Sequence, residues 1–189
     1  EGDVKDLKDS ELLVPGFNTT AFLLTKIFFP EIKSFCEMPY DKILDLLENG
    51  DKRPALLIHS TEELEEKRGL REFASLSSLW FENTKASFLP LGCLVAKRSL
   101  GSQKISEIVE SLQKSLKFAK ENEEKTLNFI LNESSYKNRE SVLSGIRAWV
   151  NEETFSLSSE GENSLKELLS KVLEPGSSCT NQIVFRKDV

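Results

Sequence analysis

The stretch Pro54-Ala55-Leu56-Leu57-Ile58-His59 decides the fold class, because it predicts a buried strand that ends in the only histidine of a 189-residue chain. Four consecutive apolar residues after the break at 50–52 are typical of a short strand covered on both faces, as in a parallel sheet. Open α/β sheets bind their ligands at the carboxyl ends of such strands. His59 is therefore expected at the edge of the sheet where a site would lie.

Two more strands and two helices are predicted around this stretch. Glu11–Val14 and Ser34–Met38 are the strands; the helix between them is expected to end at Pro30, and a second helix at Asn49-Gly50. This βαβαβ order favours an α/β fold with a parallel sheet and right-handed crossovers.

The chain between this region and residue 100 is predicted to add two strands, at Arg71–Leu76 and Pro90–Ala96, separated by a short helix around Leu79-Trp80-Phe81. From Ser102 onward the spacing of apolar residues becomes helical and marks four amphipathic helices. We therefore expect an α/β lobe over residues 1–100 that carries His59, and a C-terminal helical region over 101–189 that packs on the α/β lobes.

The loop Pro15–Thr20 is a second candidate for ligand binding, because it follows a predicted strand and leads into a helix. It lacks the Gly-Lys-Ser/Thr ending of a P-loop. Free N–H groups at a helix start attract a carboxylate or phosphate, although Asn18 or Thr19 can equally serve as an ordinary cap. If the strands before Pro15 and His59 are parallel, Thr20 and His59 face one crevice, and His59 can act there as a general base.

Composition excludes several classes of function. A net charge of −6 argues against nonspecific nucleic-acid binding, and no apolar run approaches the ~20 residues that span a bilayer. Cys36, Cys93 and Cys179 have no metal-binding spacing, and one histidine leaves too few ligands for zinc. We expect no metal site, and reduced, mostly buried thiols in a cytoplasmic protein.

Several motifs, in order, resemble the 1,4-dihydroxy-6-naphthoate synthases of the futalosine route to menaquinone. They are Val14-Pro15-Gly16, Thr19-Thr20-Ala21-Phe22-Leu23-Leu24, Met38-Pro39-Tyr40-Asp41-Lys42-Ile43, Ala55-Leu56-Leu57-Ile58-His59, Leu89-Pro90-Leu91-Gly92 and Arg98-Ser99-Leu100-Gly101.

The resemblance implies a fold like the type II periplasmic binding proteins, with two α/β lobes around a ligand cleft. It implies a lyase that cleaves cyclic dehypoxanthine futalosine to 1,4-dihydroxy-6-naphthoate without a metal or organic cofactor. His59 would be the general base, and Thr20 and Ala21, with Thr19 beside them, would bind this small-molecule substrate. A chain that held one lobe would expose apolar surface, so a homo-oligomer is possible.

The sequence departs from the family pattern in two places. Ser60 stands where the family has a glutamate, which removes a carboxylate beside His59, and the motifs of the first lobe are absent, so we expect this chain to hold the second lobe. Two alternatives stay open. One is the related chorismate dehydratase of the same pathway, and the other is a non-catalytic, solute-binding-like module that captures a small anion at Thr19–Ala21.

Overall fold

A computed structural model of the protein describes residues 4–58, 70–134 and 138–172. His59, Ser60 and Cys179 lie outside the described residues. The described chain forms two compact units, one of residues 4–58, 70–92 and 163–172 and the other of residues 93–134 and 138–162. The division into an α/β lobe and a helical region stays a prediction, since compactness alone does not show that a unit folds by itself.

The first unit is built on a small parallel sheet. Strand β1 (Glu11–Val14) pairs with strand β2 (Ser34–Glu37), with Glu11 opposite Ser34 and Val14 opposite Glu37. On the other side of β1, Leu13 forms a parallel bridge with Ala55. Here the Leu13 N–H donates to Pro54 O at 2.9 Å, and the Leu56 N–H donates to Leu13 O at 2.8 Å. Strand β1 is thus paired on both sides, and the three segments run in one direction.

Two helices make the predicted connections. Helix α1 (Thr20–Phe28) lies between β1 and β2, and helix α2 (Tyr40–Glu48) follows β2. Gly50 ends α2 with a φ of 87°, the left-handed conformation that glycine adopts at little cost. The Gly50 N–H donates to Leu47 O at 3.1 Å and the Asp51 N–H to Leu46 O at 3.0 Å, which is the paired bonding of a Schellman end.

The core of the first unit has two parts. One surrounds β1 and consists of the buried residues Leu12, Val14, Ile32 and Leu56. The other joins α1 to helix α3 (Leu76–Asn83) and to Leu168 through Leu24 and Trp80. Trp80 is fully buried, and its indole N–H donates to Phe88 O at 2.9 Å, so its polar atom is satisfied.

An ion-pair cluster holds the segment that enters the Ala55 bridge. The Arg53 guanidinium contacts Asp51 Oδ2 at 2.6 Å and Glu11 Oε2 at 2.8 Å, at the amino end of β1. Hydrogen bonds from the Arg53 side chain, and then from its backbone N–H, hold the pKa of Asp51 below its ordinary value. The cluster therefore fixes residues 51–53 beside β1 on the side opposite β2.

The second unit is helical, as the sequence predicts. It contains α4 (Gly101–Glu121), α5 (Glu123–Glu133), α6 (Arg139–Trp149) and the short α7 (Glu152–Phe155), which the sequence analysis missed; α8 (Ser159–Val172) begins in this unit and continues into the first. Among its described apolar residues, only Leu127 and Val142 are buried.

Two of the predicted strands are wrong. Residues 70–75 form no strand and lead into α3, where Ser75 caps the helix by accepting the Ser78 N–H. Residues 90–97 form no strand either, and every residue from 91 to 100 is exposed. A strand needs a neighbour for its backbone groups, and no described segment pairs with this one. Cys93 is consequently exposed, whereas the sequence analysis expected a buried thiol.

The coarse fold prediction is confirmed, because helices accompany a small parallel sheet in an α/β arrangement. Among the described residues the sheet is smaller than expected, with two strands and one bridge where five strands were predicted. Within the ranges that the structure describes, no helix is both long and apolar enough to cross a membrane.

We expect Leu13→Ala to lower the free energy of unfolding by about 2–5 kcal/mol, because Leu13 is fully buried and its loss leaves a cavity beside the sheet. Leu94→Ala, at a side chain that is 83% exposed, should cost less than about 0.5 kcal/mol and serves as the control. Urea unfolding followed by Trp80 fluorescence in a Trp149→Phe background measures both, since Trp80 is then the only tryptophan. Equal midpoint shifts would contradict the central position of Leu13.

Candidate functional site

The loop between β1 and α1 has a glycine near its start, and two side chains lie close to it. A Cβ atom on Gly16 would lie 3.3 Å from the Thr19 methyl group and 3.6 Å from Glu37 Oε1. The first distance is shorter than ordinary van der Waals contact, so an alanine here would push the Thr19 methyl group away by a few tenths of an ångström, whereas the second distance is an ordinary contact. The loop is thereby folded back on itself directly before the helix.

Thr19 is the residue that caps α1. Its backbone is extended, with φ −103° and ψ 149°, and its Oγ1 accepts the Phe22 N–H at 3.1 Å. The same hydroxyl donates to Gly16 O at 2.9 Å and so fastens the loop. The structure thus selects Thr19, between the two possible caps that the sequence offered. No described atom accepts a hydrogen bond from the N–H of Thr20 or Ala21.

The Thr20 side chain reaches a distant part of the chain. Its Oγ1 donates to Leu91 O at 2.7 Å, so the hydroxyl proton is already used and the oxygen is left as an acceptor. The first turn of α1 therefore presents two backbone donors and one hydroxyl acceptor. The two backbone donors suit a polar or anionic oxygen group, and the positive end of the helix dipole favours it further.

Three aromatic rings support the loop from the apolar side. Phe17 on the loop meets Phe22 on α1 edge to face, with centroids 5.1 Å apart, and Phe22 meets Phe35 on β2 at 5.0 Å in the same geometry. Such pairs stabilise by about 0.5–1.5 kcal/mol beyond the burial of their area. The rings connect the loop, the helix and the second strand into one packed group.

The loop lies at the carboxyl edge of the sheet. Because β1 is parallel both to β2 and to the Pro54–Leu56 segment, the residues after Val14, Glu37 and Leu56 all leave the sheet at one edge. This is the alignment on which the shared crevice depends. His59 itself lies outside the described residues, so its position beside Thr20 stays a prediction. Within the described ranges, no group of three or more His, Cys, Asp and Glu side chains is placed to hold a metal ion.

The comparison with known families gives a match over most of the chain. The family described as "Menaquinone biosynthesis" matches residues 1–174. The chain belongs to this family. The resemblance inferred from the ordered motifs is therefore confirmed at the level of the family and of its pathway.

Two similar proteins carry an enzyme name. The chain is 26% identical over 170 residues to a 1,4-dihydroxy-6-naphthoate synthase of Thermus thermophilus and 24% identical over 176 residues to one of Streptomyces coelicolor. Each match covers 90% of this chain and 62% of the relative. The chain thus spans less than two thirds of the length of the relatives it matches.

A solved structure supports the fold. The crystal structure of an Archaeoglobus fulgidus protein superposes with a TM-score of 0.77 at 27% sequence identity, over 90% of this chain and 64% of that one. The described elements therefore belong to a fold that exists in a longer protein of similar sequence.

Sequence reasoning missed two contacts of the site. One is the bond from Thr20 to Leu91 O, and the other is the bond from the Phe17 N–H to Glu37 Oε1 at 3.0 Å. Both join residues that are far apart in the chain, and neither residue type has a local pattern that predicts its partner. The one feature that could have indicated the Glu37 contact is the parallel register of β1 and β2, which places Glu37 opposite Val14.

We expect Thr19→Ala to lower the free energy of unfolding by about 1 kcal/mol, because the Phe22 N–H loses its acceptor. Thr19→Ser keeps the hydroxyl and should remain within about 0.5 kcal/mol of the wild type. Urea unfolding measures the difference. If both variants shift the midpoint equally, the methyl group and not the cap would account for the effect.

Proposed function

We propose that this chain carries the substrate-binding helix and the base of a lyase that converts cyclic dehypoxanthine futalosine to 1,4-dihydroxy-6-naphthoate. The observation that carries the proposal is the match of 90% of the chain to two proteins named 1,4-dihydroxy-6-naphthoate synthase. The capped start of α1 at the carboxyl edge of the sheet supports it, since ligands of parallel α/β sheets bind at that edge.

Each residue of the proposed site has a defined task. His59 removes a proton from the substrate and so starts its fragmentation, because an imidazole titrates near neutral pH. The backbone N–H groups of Thr20 and Ala21 bind an oxygen of the substrate, where charge is stabilised by the helix start. Thr19 holds those donors in place through its cap. No metal or organic cofactor takes part in the proposed reaction.

The proposal extends to the fold of the whole protein. We infer a lobe like those of the type II periplasmic binding proteins, with the α/β lobe over residues 1–100 and the helical region over 101–189. The parallel order of β1, β2 and the Ala55 bridge supports this inference. The proposed location is the cytoplasm, where the exposed Cys93 thiol would stay reduced.

A second candidate is a non-catalytic module that captures a small anion. The unused N–H groups of Thr20 and Ala21 favour it, because they suit an anion whether or not a base lies near. Calorimetry with cyclic dehypoxanthine futalosine separates the two functions. A binding module gives a stable heat of association with no product, and the lyase gives product.

We expect the full-length protein to convert cyclic dehypoxanthine futalosine to 1,4-dihydroxy-6-naphthoate, and His59→Ala to lower kcat by at least about 100-fold, the contribution of a general base. Chromatography of the product measures both. Circular dichroism serves as the control that the variant is folded. A His59→Ala enzyme with unimpaired kcat would overturn the assignment of the base.

We expect Thr20→Pro to lower kcat/KM about tenfold more than Thr20→Val, by the loss of one hydrogen bond to the substrate. Both variants remove the hydroxyl, and only proline removes the N–H. Proline suits this first helical position, and the extended Thr19 before it tolerates a following proline. Equal kcat/KM values for the two variants would show that the Thr20 N–H does not bind substrate.

A further inference from the structure

Glu37 is the last residue of β2, and its carboxylate turns to the loop of the neighbouring strand. Its Oε1 accepts the Phe17 N–H at 3.0 Å and lies 3.6 Å from the position that a Gly16 Cβ would take. The parallel register places Glu37 opposite Val14, the residue from which the loop departs. The carboxylate therefore meets the loop directly where it leaves the sheet.

The Glu37 contact supplies the hydrogen bond that holds the first half of the loop. Thr19 fastens the loop's end, through Gly16 O and the Phe22 N–H, and the Phe17 ring packs on Phe22. The backbone N–H of Phe17 has no other acceptor among the described residues, and Phe17 is 45% exposed. Without Glu37, the Phe17 N–H would lose its acceptor. Only the packing of the Phe17 ring on Phe22 would then hold the first half of the loop.

We propose that Glu37 is a positioning residue, which holds the 16–19 loop so that the N–H groups of Thr20 and Ala21 stay aimed at the substrate. It acts through the loop and does not itself contact the substrate. This inference rests on the proposed function, in which those two N–H groups bind substrate. It adds a residue outside the loop-helix motif to the site.

The acceptor oxygen, and not the negative charge, performs this task. A glutamine at the same position keeps an oxygen that can accept the Phe17 N–H, whereas an alanine removes it. The two substitutions therefore separate the hydrogen bond from the charge. Glu31 provides a matched control, because it is an exposed glutamate close by in the sequence and the structure gives it no partner among the described residues.

The test uses the full-length protein with Glu37→Ala, Glu37→Gln and Glu31→Ala. Amide hydrogen exchange by NMR should show the Phe17 N–H exchanging on the order of fivefold faster in Glu37→Ala, the value of one modest hydrogen bond. For cyclic dehypoxanthine futalosine, KM should rise by a similar factor with kcat within about twofold, since binding is weakened equally in the ground state and the transition state. Glu37→Gln should restore both quantities, and Glu31→Ala should leave both unchanged.

Two results would overturn the inference. One is unchanged Phe17 exchange and KM in Glu37→Ala. The other is a Glu37→Gln variant as impaired as Glu37→Ala, which would assign the effect to charge. If the wild-type protein makes no product, the proposed function fails, while the exchange of the Phe17 N–H still decides whether Glu37 holds the loop.

Discussion

The parallel pairing of β1 on both of its sides is the constraint on which the rest of the first unit depends. Leu13 is bonded to Pro54 and Leu56 on one side, and its strand is paired with β2 on the other. Since a parallel arrangement requires crossover connections, the helices α1 and α2 have to leave and return along the faces of the sheet. All loops that follow the three segments therefore emerge at one edge, and this shared edge makes a common site possible.

The loop before α1 shows how the fold prepares backbone groups for binding. Its residues are held by a threonine cap, by aromatic packing and by a carboxylate from the next strand. Each contact is modest, of about 0.5–1.5 kcal/mol, but together they fix the loop before any ligand arrives. Preorganised donors lose little freedom on binding, which is how a short helix start can contribute to affinity and to catalysis.

The elements with strong local signals were predicted from the sequence. Pro30 and Gly50 end helices by backbone chemistry, and the helical spacing of apolar residues after Ser102 needs no tertiary information. The prediction of strands at Arg71–Leu76 and Pro90–Ala96 was wrong, because an apolar run shows only that a segment can pair. Whether it does pair depends on a neighbour, and no described segment supplies one.

The candidate site, like the fold, was predicted where its residues belong to a local motif. The ordered motifs identified the family, and the strand-to-helix loop identified Thr19 and Thr20. The sequence left the cap open between Asn18 and Thr19, because either side chain can accept the N–H bond and only the loop geometry decides. The bonds of Glu37 to the loop and of the Leu91 carbonyl to Thr20 were not predicted, since each is a tertiary contact between residues far apart in the sequence. In the second unit the helices were predicted correctly, but few of their described apolar residues are buried.

We propose that the helix start at Thr20 and Ala21 and the imidazole of His59 contact one and the same substrate molecule. A crystal structure of the full-length protein with 1,4-dihydroxy-6-naphthoate bound tests it most directly. We expect a ligand oxygen about 3 Å from the N–H groups of Thr20 and Ala21, with the His59 imidazole in contact with the same molecule. A ligand bound away from the α1 start, or a His59 on another face of the sheet, would contradict it.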